Sequence, residues 1–323
     1  MRRLARGALA GLAFLLALHG PVHAADLAEF PAGRALLQRI LGERWETLGD
    51  GALRVYVTPA YRSDGERSLA AARTALPEIA AALGIAPDSI LPVWIAIAPH
   101  AGAPLREAPS WSAAVAQPER HLIVLSGPAL RTTRLDLQET VAHELAHLGL
   151  ATRLGPLGWA PLWFHEGLAM HLSGYRRASD AWRGWGRGPV ELAELTDVFP
   201  RNPTLAQQAY LESAAAVRRL SERGSLRPLL NRLARGDEFE AAFTSTYGER
   251  IDHFTDLVEA EVSRRARWVG LLTGTFSLGG VMTALFILGV VRQRRRDARR
   301  RREWEARESD DNPITDPDAP PSA

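Results

Sequence analysis

Residues 135–148 read Leu135-Asp136-Leu137-Gln138-Glu139-Thr140-Val141-Ala142-His143-Glu144-Leu145-Ala146-His147-Leu148. Neither Gly nor Pro interrupts the stretch. Leu137, Val141, Leu145 and Leu148 recur at helical spacing, so it reads as an amphipathic helix. On a helix, His143 and His147 at i and i+4 share one face, a turn apart. Two imidazoles so placed can bind one metal ion through nitrogen. Glu144, beside the first of them, can reach a water on that ion. This is the H-E-x-x-H pattern of zinc hydrolases.

Upstream, strand-like and helix-like segments alternate. Leu53–Val57 alternates and stops before Pro59, Val93–Ile97 is a second strand, and Leu122–Leu125 is a third that ends at Ser126-Gly127-Pro128. Residues 66–83 have helical spacing and end at Gly84, a natural C-cap. After residue 130 the pattern is helical, over 134–151, 161–173, 203–222, 225–234, 237–246 and 250–266. Between them, 174–202 is a loop rich in Trp, Gly and Arg (Trp182, Gly184, Trp185, Gly186, Gly188), suited to a lid, a membrane-facing wedge or simple packing. The expected fold class is α+β: a small strand-bearing lobe (25–130) followed by a helical, zincin-like lobe (131–267). The strand before the motif helix, 121–125, is the expected open edge where an extended peptide would pair.

The termini set the compartment. Arg2, Arg3 and Arg6 precede a short apolar run at 7–18, and Val22-His23-Ala24 has the form of a signal-peptidase site. Residues 1–24 therefore read as a cleaved signal peptide. Residues 268–291 carry no charge over 24 positions, enough to cross a bilayer as a transmembrane helix, with Trp268 at one interface. Arg292, Arg294–Arg296 and Arg299–Arg302 outnumber Arg264, Arg265 and Arg267 on the other flank, which places the C-terminus in the cytoplasm. Gly270 and Gly274 have the spacing of a helix-dimer face, though in so Gly-rich a span the spacing carries little weight. Residues 292–323 form an Arg-rich stretch and an acidic, Pro-rich tail that cannot bury enough apolar surface to fold. The expectation is a single-pass type I protein with residues 25–267 outside the cytoplasm. The chain has 323 residues, no Cys and a net charge of +2. Disulfides and Cys-ligated metal are excluded, and the charge offers no pull toward nucleic acid.

A catalytic zinc takes three protein ligands and leaves one position for water. Glu166 lies 19 residues after His147, a separation suited to the next helix of a hairpin. Its neighbours Trp163, Phe164, Leu168, Ala169 and Met170 are apolar, and a carboxylate there is costly unless paired or metal-bound. His165, which points about 100° away on a helix, and His171 are the competitors for the third position. Arg218 and Arg219 suit either a substrate carboxylate or a solvated helix face.

His143–His147, followed by Trp163-Phe164-His165-Glu166-Gly167-Leu168-Ala169, resembles the gluzincin metallopeptidases, in particular the bacterial peptidase MA-like group. The likeness covers about residues 120–265. It continues through Gln208-Ala209-Tyr210-Leu211-Glu212-Ser213, Val217 and Leu220, Leu229-Leu230 with Leu233-Ala234 and Gly236, Glu240-Ala241-Ala242-Phe243 and Tyr247-Gly248. The resemblance implies Zn²⁺ held by His143, His147 and Glu166, with Glu144 as general base. It also implies Tyr210 as a donor to the oxyanion, although a hydroxyl packed between helices stays open as the alternative. The implied activity is hydrolysis of an envelope protein or peptide at the bacterial cytoplasmic membrane. A non-catalytic metal-binding envelope module is the alternative. One position departs from the group. Where many gluzincins carry an Asp that orients the first His, this chain has Met170, so an acceptor must come from elsewhere, such as a backbone carbonyl.

Overall fold

Two apolar runs, Val93–Ala98 and Leu122–Ser126, form the middle of a five-stranded sheet in the computed structural model, which describes residues 31–100, 112–132, 136–174, 190–275, 286–288 and 290–296. The strands are β1 (Glu46–Asp50), β2 (Leu53–Val57), β3 (Val93–Ala98), β4 (Ala114–Gln117) and β5 (Leu122–Ser126), in the order β1-β2-β3-β5-β4. The β2–β3 and β3–β5 pairs are parallel, and the edge strands β1 and β4 are antiparallel to their neighbours.

Side chains alternate across the sheet. Val55, Val57, Ile95, Ile97, Ile123 and Leu125 face the main core beneath α2 (Arg62–Leu83) and α4 (Leu137–Leu154). On the opposite face, Ala96, Ala98, Leu122 and Val124 pack against Leu37, Ile40 and Leu41 of α1 (Pro31–Leu41). Cover on both faces is why β3 and β5 are nearly unbroken apolar runs. It also corrects one expectation. The strand 121–125 is interior, between β3 and β4. The open edge next to α4 is β4, a strand not read from the sequence.

A short α3 (Gly127–Thr132) follows β5, and helices then dominate: α4, α5 (Leu162–Leu172), α6 (Pro203–Arg223), α7 (Arg227–Leu233), α8 (Phe239–Tyr247) and α9 (Ile251–Thr275). Their ends match the local signals. Asp136 caps α4 by accepting the N–H groups of Gln138 and Glu139, and Gly84 ends α2 in the left-handed region at φ 72°. Helix α5 is held by aromatic packing. Trp163 and Phe164 are buried against Phe239, with Phe243 and Phe254 in the same cluster. Edge-to-face contacts of this kind fix the rotation of the helix as well as its position.

The contacts divide the chain at Arg265/Ala266. Among the described residues, no helix is long and apolar enough to cross a membrane. The expected span at 268–291 falls mostly outside the described side chains. The signal peptide, the aromatic part of the 174–202 loop and the C-terminal tail also lie outside the described residues.

Helices α5 and α6 touch backbone to backbone. A Cβ on Gly167 would lie 2.2 Å from the Ser213 carbonyl oxygen. Gly149, where α4 crosses α2, would meet side-chain atoms alone, Leu83 Cδ1 at 2.7 Å and Ile79 Cγ2 and Ile90 Cδ1 at 3.3 Å. Gly167→Ala is therefore expected to cost about 3 kcal/mol and Gly149→Ala about 1 kcal/mol. Thermal unfolding of the two variants checks this, and equal losses would contradict the backbone contact at Gly167.

Candidate metal centre

Helix α4 presents His143 and His147 on the face turned toward α5, and α5 places Glu166 opposite them. The Glu166 Oε2 atom lies 3.3 Å from His143 Nε2 and 3.5 Å from His147 Nε2, and the two Nε2 atoms are 3.2 Å apart. One ligand atom from each residue falls within 4.8 Å of the others, so the three could hold a metal ion. Among the described residues no other group converges this way. Of the three competitors for the third position, the structure brings Glu166 to the site and leaves His165 and His171 out of the group.

Burial dominates the electrostatics. It opposes the charged form of Glu166, yet His147 and His143 outweigh it and hold the carboxyl far below its ordinary range. Burial also opposes charge on His147, but Glu166, with Glu144 behind it, pushes that imidazole up to about 9. His165 is held down to about 4 by burial and by His147, so it stays neutral at pH 7. Burial likewise lowers His171, which faces Arg218 rather than the site. The trio balances itself as an ion pair that a cation could replace.

Glu144 is buried, 7% exposed. Burial raises its pKa, opposed by His143 and His147. Its carboxylate accepts the backbone N–H of Ala116, which lies on the edge strand. Register explains the contact. The Ser126 N–H bonds to the Ala113 carbonyl, so Ala113, Val115 and Gln117 bond to β5, while the main-chain groups of Ala114 and Ala116 turn outward. The Ala114 carbonyl accepts Ser112 Oγ at 2.7 Å.

Tyr210, on α6, lies with its ring centroid 6.4 Å from that of His143 and 4.7 Å from that of Phe199. Arg218 pairs with Glu222 at 3.7 Å and Arg219 with Glu261 at 2.6 Å, so both belong to helix-surface ion pairs. The expected carbonyl that would orient a His ligand is not found at His147, whose Nδ1 is buried with no hydrogen-bond partner. Met170, at the position where many gluzincins have Asp, is buried.

The sequence reading missed Ala116, because β4 is four small or polar residues with a weak strand signal. It also assigned no role to Glu212, although a carboxylate beside Ala209, Ser213 and Ala216 on the buried face of α6 was signal enough. Neither the protein-family models nor the curated proteins compared with this chain match it.

The raised His147 pKa carries a consequence. At pH 7.5 this imidazole is protonated in the metal-free protein, and a metal ligand must be neutral. Metal binding should release about one proton, and affinity should rise with pH up to about 9. Calorimetry in buffers of different ionisation enthalpy measures the release. No proton release would contradict the His147–Glu166 pairing.

Proposed function

We propose that the chain is a zinc-dependent peptidase of the zincin-like, gluzincin type, tethered to the bacterial cytoplasmic membrane with its site outside the cytoplasm. The observation that carries this reading is the convergence of His143, His147 and Glu166 with Glu144 buried beside them. The donors suit zinc: two imidazole nitrogens and one carboxylate, with Glu166 Oε2 buried against the two Nε2 atoms. A purely structural zinc would ordinarily take a fourth protein ligand, and three groups meet here. Zinc in such a set supplies Lewis-acid chemistry, polarising a carbonyl and acidifying a water.

The chain's own residues supply the rest. Glu144 takes a proton from the attacking water and returns it to the leaving amine, and its raised pKa suits both transfers. Tyr210, ring to ring with His143, offers its O–H to the charge developing on the carbonyl oxygen. An extended peptide laid along β4 would use the two outward groups that Glu144 and Ser112 leave, the Ala114 N–H and the Ala116 carbonyl, which makes this edge, not 121–125, the place for an envelope protein or peptide substrate. The apolar residues Phe286, Ile287, Leu288, Val290 and Val291 are exposed. A lipid bilayer is the medium that would cover them, and they support the membrane span read from the sequence.

In the full chain purified in detergent, Glu144→Gln should keep about one equivalent of zinc while peptide hydrolysis falls by roughly 10²–10⁴. Tyr210→Phe should keep the metal and lose roughly 10²–10³ in kcat. Metal analysis and turnover of a peptide library read both variants. Full hydrolysis by Glu144→Gln overturns the mechanism.

A further inference from the structure

One segment reaches the metal site from outside it. Residues 190–199 contact three helices, α5 at its first residue and α6 and α9 part-way along, with Leu192–Leu195 forming a short 3₁₀ turn whose Leu192 and Leu195 are buried. The Val190 N–H is shared by both carboxylate oxygens of Glu212, at 3.1 and 3.0 Å. The Leu192 N–H bonds to Glu259 Oε1 of α9 at 2.9 Å. The Thr196 carbonyl accepts the N–H of Leu162, the first residue of α5. Phe199 then packs against Tyr210, the rings tilted at 49°. The segment thus ties the start of the Glu166 helix to the aromatic ring beside His143.

The fastening group is unusual. Glu212 is 1% exposed, and its other contact is Gln208 Nε2 at 3.0 Å, one turn earlier on α6. A buried carboxylate is costly unless its hydrogen bonds repay it. Here they go to a main-chain N–H of the segment and to a Gln that orients the carboxylate toward it. Glu212 sits two residues from Tyr210 on the same helix, so whatever holds Val190 to Glu212 also fixes where Phe199 meets Tyr210.

We propose that residues 190–199 form a clamp that positions Tyr210 and the start of α5 at the metal site, and that Glu212 is the positioning residue that fastens it. This rests on the peptidase reading only for what Tyr210 does in the reaction. The clamp itself stands on the hydrogen bonds.

The clamp is pH-sensitive. Burial, with Glu259 adding to it, pushes Glu212 up to about 7, against the hydrogen bonds from Gln208 and Val190. Glu259 is itself raised by burial and by Glu191, Asp256 and Glu194. Among the described residues, the groups that shift Glu212 and Glu259 are the Gln208 amide, the Val190 and Leu192 N–H groups and other carboxylates, with no cation among them. An acid with a raised folded pKa stabilises the closed form fully below its unfolded value of 4.5, and that contribution is lost as pH rises through about 7.

Amide exchange in the full, metal-free chain in detergent tests this without any substrate. Protection factors at Val190 and Leu192 should fall by roughly tenfold per pH unit between about pH 5 and 7 and level off above. Glu212→Gln, which keeps an oxygen for Val190, should make the protection at Val190 independent of pH, while Leu192, held by Glu259, keeps a pH response of its own. Glu212→Ala should remove protection throughout, and Gln should restore it. The ¹³C-labelled ring resonance of Tyr210, assigned by Tyr210→Phe, should move with the same pH profile in the wild type and stay still in Glu212→Gln. A flat wild-type profile, or an unchanged slope at Val190 in Glu212→Gln, overturns the clamp. A Tyr210 resonance that ignores the transition overturns the positioning role. Should Glu212→Gln fail to fold, Glu259→Gln gives the same decision, because removing that charge must move the window to lower pH. Absence of any hydrolysis would count against the peptidase reading and leave the exchange result decisive for the clamp.

Discussion

The cost of burying charge governs this molecule. Glu166 sits on a helix whose other side chains pack into an aromatic core, and in water-poor surroundings its carboxylate is tolerable only opposite His143 and His147. Three helices are arranged to satisfy that condition. Helix α4 brings the imidazoles, α5 brings the carboxylate, and α6 presses against α5 so closely that only Gly fits at residue 167. The same electrostatic necessity leaves a group that could hold a cation, since a divalent ion could take the place of the proton that otherwise balances Glu166.

The sheet serves the site through its edge. Helix α4 crosses β4, where the antiparallel register turns the Ala116 N–H outward and toward Glu144. A buried carboxylate next to the His143, His147 and Glu166 group and the main-chain group it accepts thus come from two different layers of the fold. Glu212 repeats the logic on a smaller scale. A buried carboxylate spends its hydrogen-bonding capacity on a main-chain N–H and thereby fastens the start of the 190–199 segment.

Much of this was legible in the chain, and the illegible parts share a cause. Helices α4 to α9 follow from apolar spacing punctuated by Asp136, Pro161, Asn202 and Gly248, each a local signal acting within one turn. His143, Glu144, His147 and Glu166 follow from residue chemistry at fixed spacing. By contrast, β1 and β4 are short edge strands of five and four residues with partly exposed side chains, so their sequences carry little periodicity. Helix α1 was also missed. The run Leu122-Ile123-Val124-Leu125 lies inside the sheet rather than at the expected edge, and four consecutive apolar residues are the mark of a strand covered on both faces.

The candidate ligands and the helices that carry them are written in local sequence, because both depend on residues within a few turns of one another. The sequence by itself also determined the apolar and arginine-flanked character of the segment after residue 267. Only the tertiary structure decided which strand forms the open edge, that Ala116 meets Glu144, that His147 Nδ1 lacks a partner, and that Glu212 fastens residues 190–199. Those facts depend on pairing between segments from 20 to more than 60 residues apart. Pairing of that kind is set by the packing of whole layers, which no local pattern encodes.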